Sequence, residues 1–257
     1  TPLTRARFRT DKVGLLPEAL KMLLSLRKES NTLKSSLPPG TPEWKDADRK
    51  ATAYKVAANS FYGVIGSPNS RFYDKAVGEA TTQNGVWLIK ETIKAAEARG
   101  MDVVYCDTDS LFVHNAARTQ FEAFVKWCND ELYPQLLKEN GCIENRIQLA
   151  YEKEFERVVF AGKKRYAARF KHYKGKEAEA NSKPEVKGFE YKRSDTALLA
   201  RRLQERAIIM LMDGATDPKV FLDLAAEAKD RVRDGALAPK EYIMSKGLSR
   251  PLDEYVK

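Results

Sequence analysis

Apolar residues recur with helical spacing in the first quarter of the chain. Four leucines follow one another at i, i+4, i+7 and i+8: Leu16, Leu20, Leu23 and Leu24. This spacing predicts a helix that begins after Gly14 and runs toward Lys34, where the Leu-Pro-Pro-Gly breaker at 37–40 follows. Thr41-Pro42 has the pattern of an N-cap and a first-turn proline, so we expect a second helix to about Tyr62, ending at Gly63. So short a breaker predicts an antiparallel helical hairpin.

The remaining pattern alternates between helical and extended stretches. Residues 1–10 are interpreted as an edge strand or a frayed start. Helical spacing predicts helices at 74–99, stopping at Gly100, and at 118–139, whereas strands are expected at 147–160 and 164–170. Residues 171–186 have the composition of a poorly ordered surface connection. Further helices are expected from Ser194-Asp195 to about Gly214, and from Asp217-Pro218 onward. Runs of strand that do not alternate strictly with helices predict an α+β fold with an antiparallel layer.

An acidic turn interrupts the most apolar extended stretch, residues 102–113. The run DVVYC leads into Asp107-Thr108-Asp109, and SLFV follows, which predicts strand, tight turn and strand. Side chains two apart on an extended chain point the same way, so Asp107 and Asp109 are expected to share a face at the tip. Two carboxylates so placed repel each other unless a cation lies between them, and Mg²⁺ takes one or two protein carboxylates. An ordinary Asp-rich turn is the alternative.

Two basic regions also have the residue types of a phosphate-binding surface. On the second predicted helix Lys55, Asn59 and Tyr62 fall on one face, and an antiparallel partner helix brings Arg27 toward the same space. Arg and Lys converging around an Asn suit a polyphosphate, although a solvated helix face has the same pattern. The stretch AGKKRY at 161–166 suits a nucleic-acid backbone, with a solvated strand end as the alternative.

Composition narrows the functional class. The 257 residues carry a net charge of +9, which favours a polyanionic partner. The three cysteines lack metal-ligand spacing and are typical of reduced thiols, and two histidines outside any triad-like or zinc-like setting argue against histidine-dependent chemistry. Neither a signal-peptide pattern nor an apolar run near 18 residues occurs, so we expect no membrane partner and no secretion. The expected location is cytoplasmic: in the nucleoid, or in the nucleus of a eukaryote.

Several sequence blocks occur in the order found in the family B DNA polymerases. Residues 55–63 (KVAANSFYG) resemble the fingers motif Lys-x-x-x-Asn-Ser-x-Tyr-Gly, and residues 105–110 (YCDTDS) resemble the palm motif Tyr-x-Asp-Thr-Asp-Ser. Residues 162–166 (GKKRY) resemble the Lys-Lys-x-Tyr element that grips the primer–template duplex, and residues 187–195 resemble the entry to the thumb. The resemblance extends over nearly the whole chain.

The resemblance implies a polymerase architecture. We expect an antiparallel palm sheet with helices on one face, a helical fingers hairpin and a partial helical thumb. The corresponding ranges are a palm–fingers junction at 1–10, the fingers hairpin at 11–66, the C-terminal part of the palm at 67–186 and a partial thumb at 187–257.

It also implies roles for individual residues. Asp109 corresponds to the carboxylate that binds both Mg²⁺ ions, Asp107 to a supporting ligand, and Glu154, on a loose alignment, to an accessory carboxylate. The residues implied to contact the incoming nucleotide are Arg27, Lys34, Lys55, Asn59 and Tyr62, with Tyr62 forming the floor of the base-pair pocket. The residues assigned to DNA contact are Gly63, Thr108, Lys163, Lys164, Arg165, Tyr166, Lys187 and Arg193.

Two departures from the family pattern matter. The family often has a second base one turn after the Arg27 position, where this chain has Asn31, with Lys34 nearby. The other palm motif, Asp-x-x-Ser-Leu-Tyr-Pro-Ser, is expected just upstream of Thr1 and is absent, as are exonuclease motifs. Two-metal catalysis needs carboxylates from both palm motifs. We therefore expect a small subunit of a split enzyme or a fragment of a longer chain, inactive alone.

The implied activity is template-directed DNA synthesis, in which the primer 3′-OH attacks a dNTP between two Mg²⁺ ions. The implied partners are primer–template DNA, dNTP and a large subunit or segment with the exonuclease and the other palm motif, with a sliding clamp as a further candidate. Two alternatives stay open: a duplex-DNA-binding subunit without catalysis, and a phosphoryl or nucleotidyl transferase that uses no template.

Overall fold

A computed structural model describes residues 4, 6–9, 11–142, 144–173, 175–179, 182–249 and 254. The chain divides into two compact units, Thr1–Ala150 and Tyr151–Lys257. Each unit combines helices with antiparallel strands, so the α+β prediction is confirmed. The boundary between the units falls inside the 67–186 range that the resemblance assigns to the palm, and the division into polymerase domains stays a prediction.

The first unit begins with the expected helical hairpin, α1 (Leu15–Ser36) and α2 (Pro42–Gly66). Small buried side chains, Ser30, Ala47 and Ala51, let the two helices approach closely. The Thr41 hydroxyl accepts a hydrogen bond from the Trp44 N–H (3.2 Å), which confirms the predicted N-cap. Among the described residues of the N-terminal segment, 6–9 have no regular structure; Arg5 and Thr10 lie outside the described residues.

The prediction that α2 ends at Gly63 is wrong, because the helix continues to Gly66. Glycine weakens a helix without breaking it. The stop comes instead from Pro68, which forces the residue before it out of the helical region: Ser67 has φ −92° and ψ 122°.

The next elements are α3 (Lys75–Glu97), β1 (Asp102–Asp107) and β2 (Ser110–His114). Asp74 caps α3 by accepting from the Val77 N–H (3.1 Å), and β1 pairs antiparallel with β2 around a bulge at Val104. Alternate β1 residues are half-buried and the others are exposed, with Val104 53% exposed. This two-stranded sheet therefore has one packed face within the first unit.

The predicted helix at 118–139 is continuous but not uniform. It consists of α4 (Arg118–Trp127), a π-helical turn (Cys128–Leu132) and α5 (Tyr133–Glu139). Pro134 has no N–H to donate to the preceding turn, and the wider turn accommodates it. Phe124, Cys128 and Tyr133 form the core of this unit with residues of α3 and β1, and burial raises the pKa of the Cys128 thiol to about 11.

A strand was expected from residue 147, but the first strand of the second unit begins at Lys153. The backbone of Leu149 is instead paired with a side chain of the π-helical turn. Its N–H donates to Asn129 Oδ1 (2.7 Å), and its carbonyl accepts from Asn129 Nδ2 (2.9 Å). Because the Asn129 side chain already satisfies both backbone polar groups of Leu149, this residue needs no strand partner.

The second unit is built on a sheet centred on β4 (Arg165–Tyr173). β4 pairs antiparallel with β3 (Lys153–Gly162) on one side, and with β5 (Lys176–Glu177) and β6 (Glu185–Lys187) on the other. The prediction of a poorly ordered connection at 171–186 is therefore wrong for these strands; residues 174, 180 and 181 lie outside the described residues.

Two helices complete this unit, α6 (Leu198–Met212) and α7 (Pro218–Arg233). Ile208 and Met212 of α6 pack with Ala167 and Val186 of the sheet. Asp217 caps α7 as predicted. The predicted start of α6 at Ser194-Asp195 is wrong, because the Asp195 carboxylate is taken by Arg193 (Nε to Oδ1, 2.9 Å). No helix of the described residues is long and apolar enough to span a membrane.

Candidate functional site

The acidic tip of the first unit is a strained two-residue turn. Asp107 and Ser110 pair across the hairpin, which leaves Thr108 and Asp109 as the turn. The Asp109 N–H donates to the Asp107 carbonyl (2.8 Å), and Thr108 has φ +58°. An i to i+2 hydrogen bond around a residue of positive φ corresponds to the rarer, strained form of γ-turn. A β-branched residue in this region is an outlier, and such strain is concentrated at functional sites.

This turn changes the expected placement of the two carboxylates. The two side chains would share a face only on an extended chain, but the backbone reverses at Thr108. Asp107 ends β1 and is half-buried, accepting a hydrogen bond from the Thr108 hydroxyl (3.1 Å), whereas Asp109 is exposed. Partial burial and the negative charge of Asp107 raise the pKa of the neighbouring Cys106 thiol. The tip therefore carries a half-buried and an exposed carboxylate, separated by one residue in the sequence.

The tip does not form a complete metal site with the other described residues of the chain. No group of three or more His, Cys, Asp or Glu side chains in the described part could hold a metal ion. Mg²⁺ does not require such a group, because it keeps several waters and takes one or two carboxylates plus substrate phosphates. The carboxylates of Asp107 and Asp109 are thus of the ligand type and number that Mg²⁺ takes from a protein.

Glu154, the third carboxylate assigned to metal binding, lies on β3 in the second unit and has partners of its own. Its Oε1 accepts from Lys171 Nζ (2.6 Å), and its Oε2 accepts from the Tyr151 hydroxyl (3.1 Å). The neighbouring Glu152 is exposed and, within the described part of the chain, forms no hydrogen bond or ion pair. The accessory role of Glu154 stays a prediction, and Glu152 is the more available carboxylate of this stretch.

The residues assigned to nucleotide binding lie along the helical hairpin. Lys55, Asn59 and Tyr62 are exposed on α2, with Tyr62 50% exposed. Lys34 Nζ and Asp48 Oδ1 form an ion pair between the helices (2.6 Å). Arg27 and Lys55 each lie seven residues further from the connecting loop than this pair, so they occupy the same height on antiparallel helices. The structure thus supports the expected approach of Arg27 to the Lys55 level.

Lys34 itself is engaged within the hairpin. Besides Asp48, it lies over the ring of Trp44 at 4.9 Å from the ring centroid. Contact with a nucleotide would require Lys34 to exchange these partners, and its assignment stays a prediction. Arg27 and Asn31 line an open depression of ≈ 460 Å³ along α1.

Gly63 stands on the exposed side of α2 near Tyr62. A Cβ built at this position would meet no atom within 4 Å. The packing of the described residues thus gives no reason for a glycine here, and its cost to the helix is about 0.5–1 kcal/mol relative to Ala. A glycine at position 63 would allow an external partner to approach the backbone of α2 closely.

In the second unit, the β3–β4 turn presents basic residues. Lys163 and Lys164 form the turn and are exposed, and Lys164 has φ +60°. Lys187 on β6 pairs with Tyr166 of β4. The next residue, Gly188, has φ +71°, and a Cβ there would overlap the Lys164 carbonyl oxygen. The structure therefore places Lys187, on β6, beside the basic turn formed by Lys163 and Lys164.

Two of the other DNA-contact candidates are clamped by carboxylates that sequence reasoning missed. Arg165 pairs with Glu190, and the Tyr166 hydroxyl donates to Glu185, which also accepts from Lys153 Nζ (2.8 Å). Burial opposes ionisation of Glu185, but the bonds from Lys153 and Tyr166 and the nearby lysine charges outweigh it and lower its pKa. A hydrogen bond from Gln204, with Arg165, lowers the pKa of Glu190. No local motif marks these partners, because they lie 19 and 25 residues from Tyr166 and Arg165.

Arg193 lies beside this clamp, because its backbone N–H donates to the Glu190 carbonyl (2.8 Å). Its guanidinium pairs with Asp195 two residues later, and the pair lowers the pKa of the Asp195 carboxyl. The Arg193 side chain is still 65% exposed. Its assignment to DNA contact stays a prediction.

Comparisons with known proteins agree over nearly the full chain. A family model described as DNA polymerase family B matches residues 4–257. The chain is 30% identical over 249 residues to a DNA polymerase of Archaeoglobus fulgidus, covering 97% of this chain and 29% of the relative. It is 29% identical over 247 residues to a DNA polymerase alpha catalytic subunit of Arabidopsis thaliana, covering 94% of this chain and 16% of the relative.

A solved structure is similar in fold. The family B DNA polymerase of Pyrobaculum calidifontis matches with a TM-score of 0.63 and 27% identity, over 96% of this chain and 29% of that one. The chain thus spans under a third of the length of each of these relatives.

Proposed function

Because this chain belongs to DNA polymerase family B, we propose that it supplies the nucleotide-binding helices, one carboxylate pair and a DNA-gripping turn for template-directed DNA synthesis. The observation that carries the proposal is the Asp107/Asp109 tip, held in a strained turn in a chain of this family. A strained backbone that places two adjacent carboxylates has an evident use if those carboxylates bind a cation.

The helical hairpin and the basic turn each carry side chains that suit the phosphates of one substrate. Lys55 and Asn59, with Arg27 at the same height, suit the triphosphate of a dNTP, since Arg offers a planar fork and Lys a point charge. Lys163, Lys164 and Lys187 suit the duplex backbone through phosphate contacts that carry no sequence information. Arg165 and Tyr166 hold this turn in place through Glu190 and Glu185.

Mg²⁺ is the proposed cofactor, as a pair of ions in the completed enzyme. Asp107 and Asp109 would hold it, and the bound ion would stabilise negative charge on the phosphate under attack. Because the described residues hold no larger acidic cluster, the remaining ligands come from water, the nucleotide and another chain or segment with the second palm carboxylate. We propose that this segment, which also carries the exonuclease, is a partner of the chain. A sliding clamp is a further proposed partner.

The test is primer extension in the assembly that contains this chain and the segment with the second palm motif. Asp109→Asn removes the exposed charge without changing side-chain size, and we expect incorporation to be abolished. Asp130→Asn, an exposed aspartate of the π-helical turn, is the matched control and should retain activity. Incorporation at the normal rate by Asp109→Asn would refute the role of the tip.

The accessory carboxylate is tested in the same assay. Glu152→Gln is expected to slow incorporation more than Glu154→Gln, because Glu154 is already bound by Lys171 and Tyr151. The opposite order would restore Glu154 as the metal-side carboxylate.

A non-catalytic duplex-DNA-binding role is the second candidate, favoured by the exposed Lys163 and Lys164 of the β3–β4 turn in a chain with a net charge of +9. In this role the chain binds duplex DNA, and the salt dependence of binding should be weaker in Lys163→Gln and in Lys164→Gln. Nucleotide incorporation by the assembly should then not depend on Asp109. Lys229→Gln on α7 serves as the charge-matched control.

A further inference from the structure

The loop between α2 and α3, residues 67–74, is closed by its own hydrogen bonds. The Ser70 N–H donates to the Ser67 carbonyl (2.9 Å), and the Tyr73 N–H donates to the Ser70 carbonyl (3.1 Å). The Asp74 N–H reaches back to the Ile65 carbonyl in the last turn of α2 (3.0 Å). These bonds fix the loop against the end of α2, so side chains on it have defined positions.

Two aromatic rings stand exposed on this fixed loop. Phe72 is 49% exposed and Tyr73 is 42% exposed, and neither ring packs on another ring within the described part of the chain. Tyr73 precedes the helix cap Asp74, a position whose apolar side chain often packs on the fourth helical residue. Here that residue is Gly78, which has no side chain to contact. About half of each ring is therefore exposed, and neither ring is held by another aromatic ring or by a side chain at position 78.

Two cationic side chains lie close to the rings along the chain. Arg71 is exposed beside Phe72, and Lys75 begins α3, pairing among the described residues only with Glu79 across one turn (Nζ to Oε1, 3.5 Å). The carboxylate of the helix cap Asp74 lies between Tyr73 and Lys75 and accepts from the Val77 N–H. Exposed rings with cations around them are the combination that binds single-stranded nucleic acid, in which bases stack on the rings and the phosphates meet positive charge.

We propose that the loop at 67–74 stacks unpaired template bases just ahead of the base pair being formed. Rings can stack only on bases whose faces are available, which selects a single strand over a duplex. The loop begins five residues after Tyr62, about 7.5 Å along the helix axis. This inference rests on the proposed function, which places Tyr62 under the nascent base pair and so puts the next template base within reach of the loop.

The test compares binding of this chain to two labelled DNAs by fluorescence anisotropy at low salt. One is a blunt duplex and the other carries the same duplex with a 5′ overhang of thymidines on the template strand. The unaltered chain is expected to bind the overhang DNA more tightly. The double variant Phe72→Leu/Tyr73→Leu keeps apolar bulk in the loop but removes both rings, and it should lose this preference by about fivefold or more per ring. Its affinity for the blunt duplex should not change.

Two further variants sharpen the test. Tyr73→Phe keeps the ring and should retain the preference, and Tyr242→Leu removes a ring of similar exposure (40%) in the second unit and should do the same. The proposal is overturned if the unaltered chain does not distinguish the two DNAs, if the double variant keeps its preference, or if it loses both affinities equally. The binding assay contains no nucleotide or metal, so its result does not depend on the Asp109 test. A preference for the overhang without Asp109-dependent incorporation would refute only the catalytic role. Asp109-dependent incorporation without a preference for the overhang would refute only the proposed role of the loop.

Discussion

Thr108 determines the backbone geometry of the acidic tip. A non-glycine residue at φ +58° is strained by roughly 1–2 kcal/mol, so the residue at this position should control stability through its backbone alone. Thr108→Gly and Thr108→Ala both remove the hydroxyl that bonds to Asp107, and they differ only in backbone freedom. We expect the glycine variant to have the larger free energy of unfolding, by about 1 kcal/mol, as measured by urea denaturation. An alanine variant of equal or greater stability would show that the turn is not strained.

Glu185 links the basic turn to the sheet through Lys153 and Tyr166. Its pKa is lower in the folded chain than in the unfolded one, so its contribution to stability is present above the unfolded value of about 4.3 and is lost as the pH falls through the lower folded value. Glu185→Gln should therefore cost about 1–3 kcal/mol at pH 7 and almost nothing in acid below that window. Urea denaturation at both pH values checks this.

The exposed Glu156 on β3 provides the comparison for Glu185. Glu156→Gln should leave the free energy of unfolding nearly unchanged at both pH values. A Glu185→Gln deficit of the same size at pH 7 and in acid would mean that packing, and not charge, accounts for it.

At the scale of elements, α2 contains a glycine that its own packing does not require. Gly63→Ala should raise the free energy of unfolding by roughly 0.5–1 kcal/mol because alanine favours the helix, yet it should lower primer extension if DNA approaches the backbone there. Gly85→Ala on α3 is the control, since it is exposed, helical and equally open. It should give the same stabilisation with no loss of extension. Equal activity in both variants would remove Gly63 from the DNA-contact residues.

The sequence predicts the start of a helix correctly where the cap depends only on neighbouring residues. The caps at Thr41, Asp74 and Asp217 are self-contained, because each side chain bonds a backbone N–H within three residues. Asp195 had the same local pattern, but its carboxylate is taken by Arg193, and α6 starts at Leu198 without it. Residue spacing alone does not show whether an aspartate carboxylate binds the backbone N–H of a helix start or a nearby arginine.

The candidate site divides in the same way. Asp107, Lys55 and Lys163 could be found because each belongs to a contiguous motif. The γ-turn at Thr108 could not, because positive φ is not expected for a β-branched residue. Neither could the Lys34–Asp48 pair nor the Glu185 clamp, whose partners are distant in sequence and meet only after the helices and strands have packed.

At the scale of the whole molecule, each unit has a core of its own, and all three tryptophans, Trp44, Trp87 and Trp127, lie in the first. Tryptophan fluorescence therefore reports unfolding of the first unit, whereas far-UV circular dichroism reports both. Phe124→Ala, which costs about 3–5 kcal/mol, should lower the fluorescence midpoint, and Ile208→Ala should lower only the transition seen by circular dichroism. A fluorescence midpoint that also falls in Ile208→Ala would show that the two units unfold as one cooperative unit.

The close approach of Gly188 to the Lys164 carbonyl couples the sequences of two segments that lie 24 positions apart. A lineage that acquires a side chain at position 188 cannot keep the turn at 163–164 in its present path, and a lineage that lengthens that turn releases position 188 from glycine. Substitution at one segment is therefore expected to accompany remodelling of the other wherever descendants of this gene have diverged.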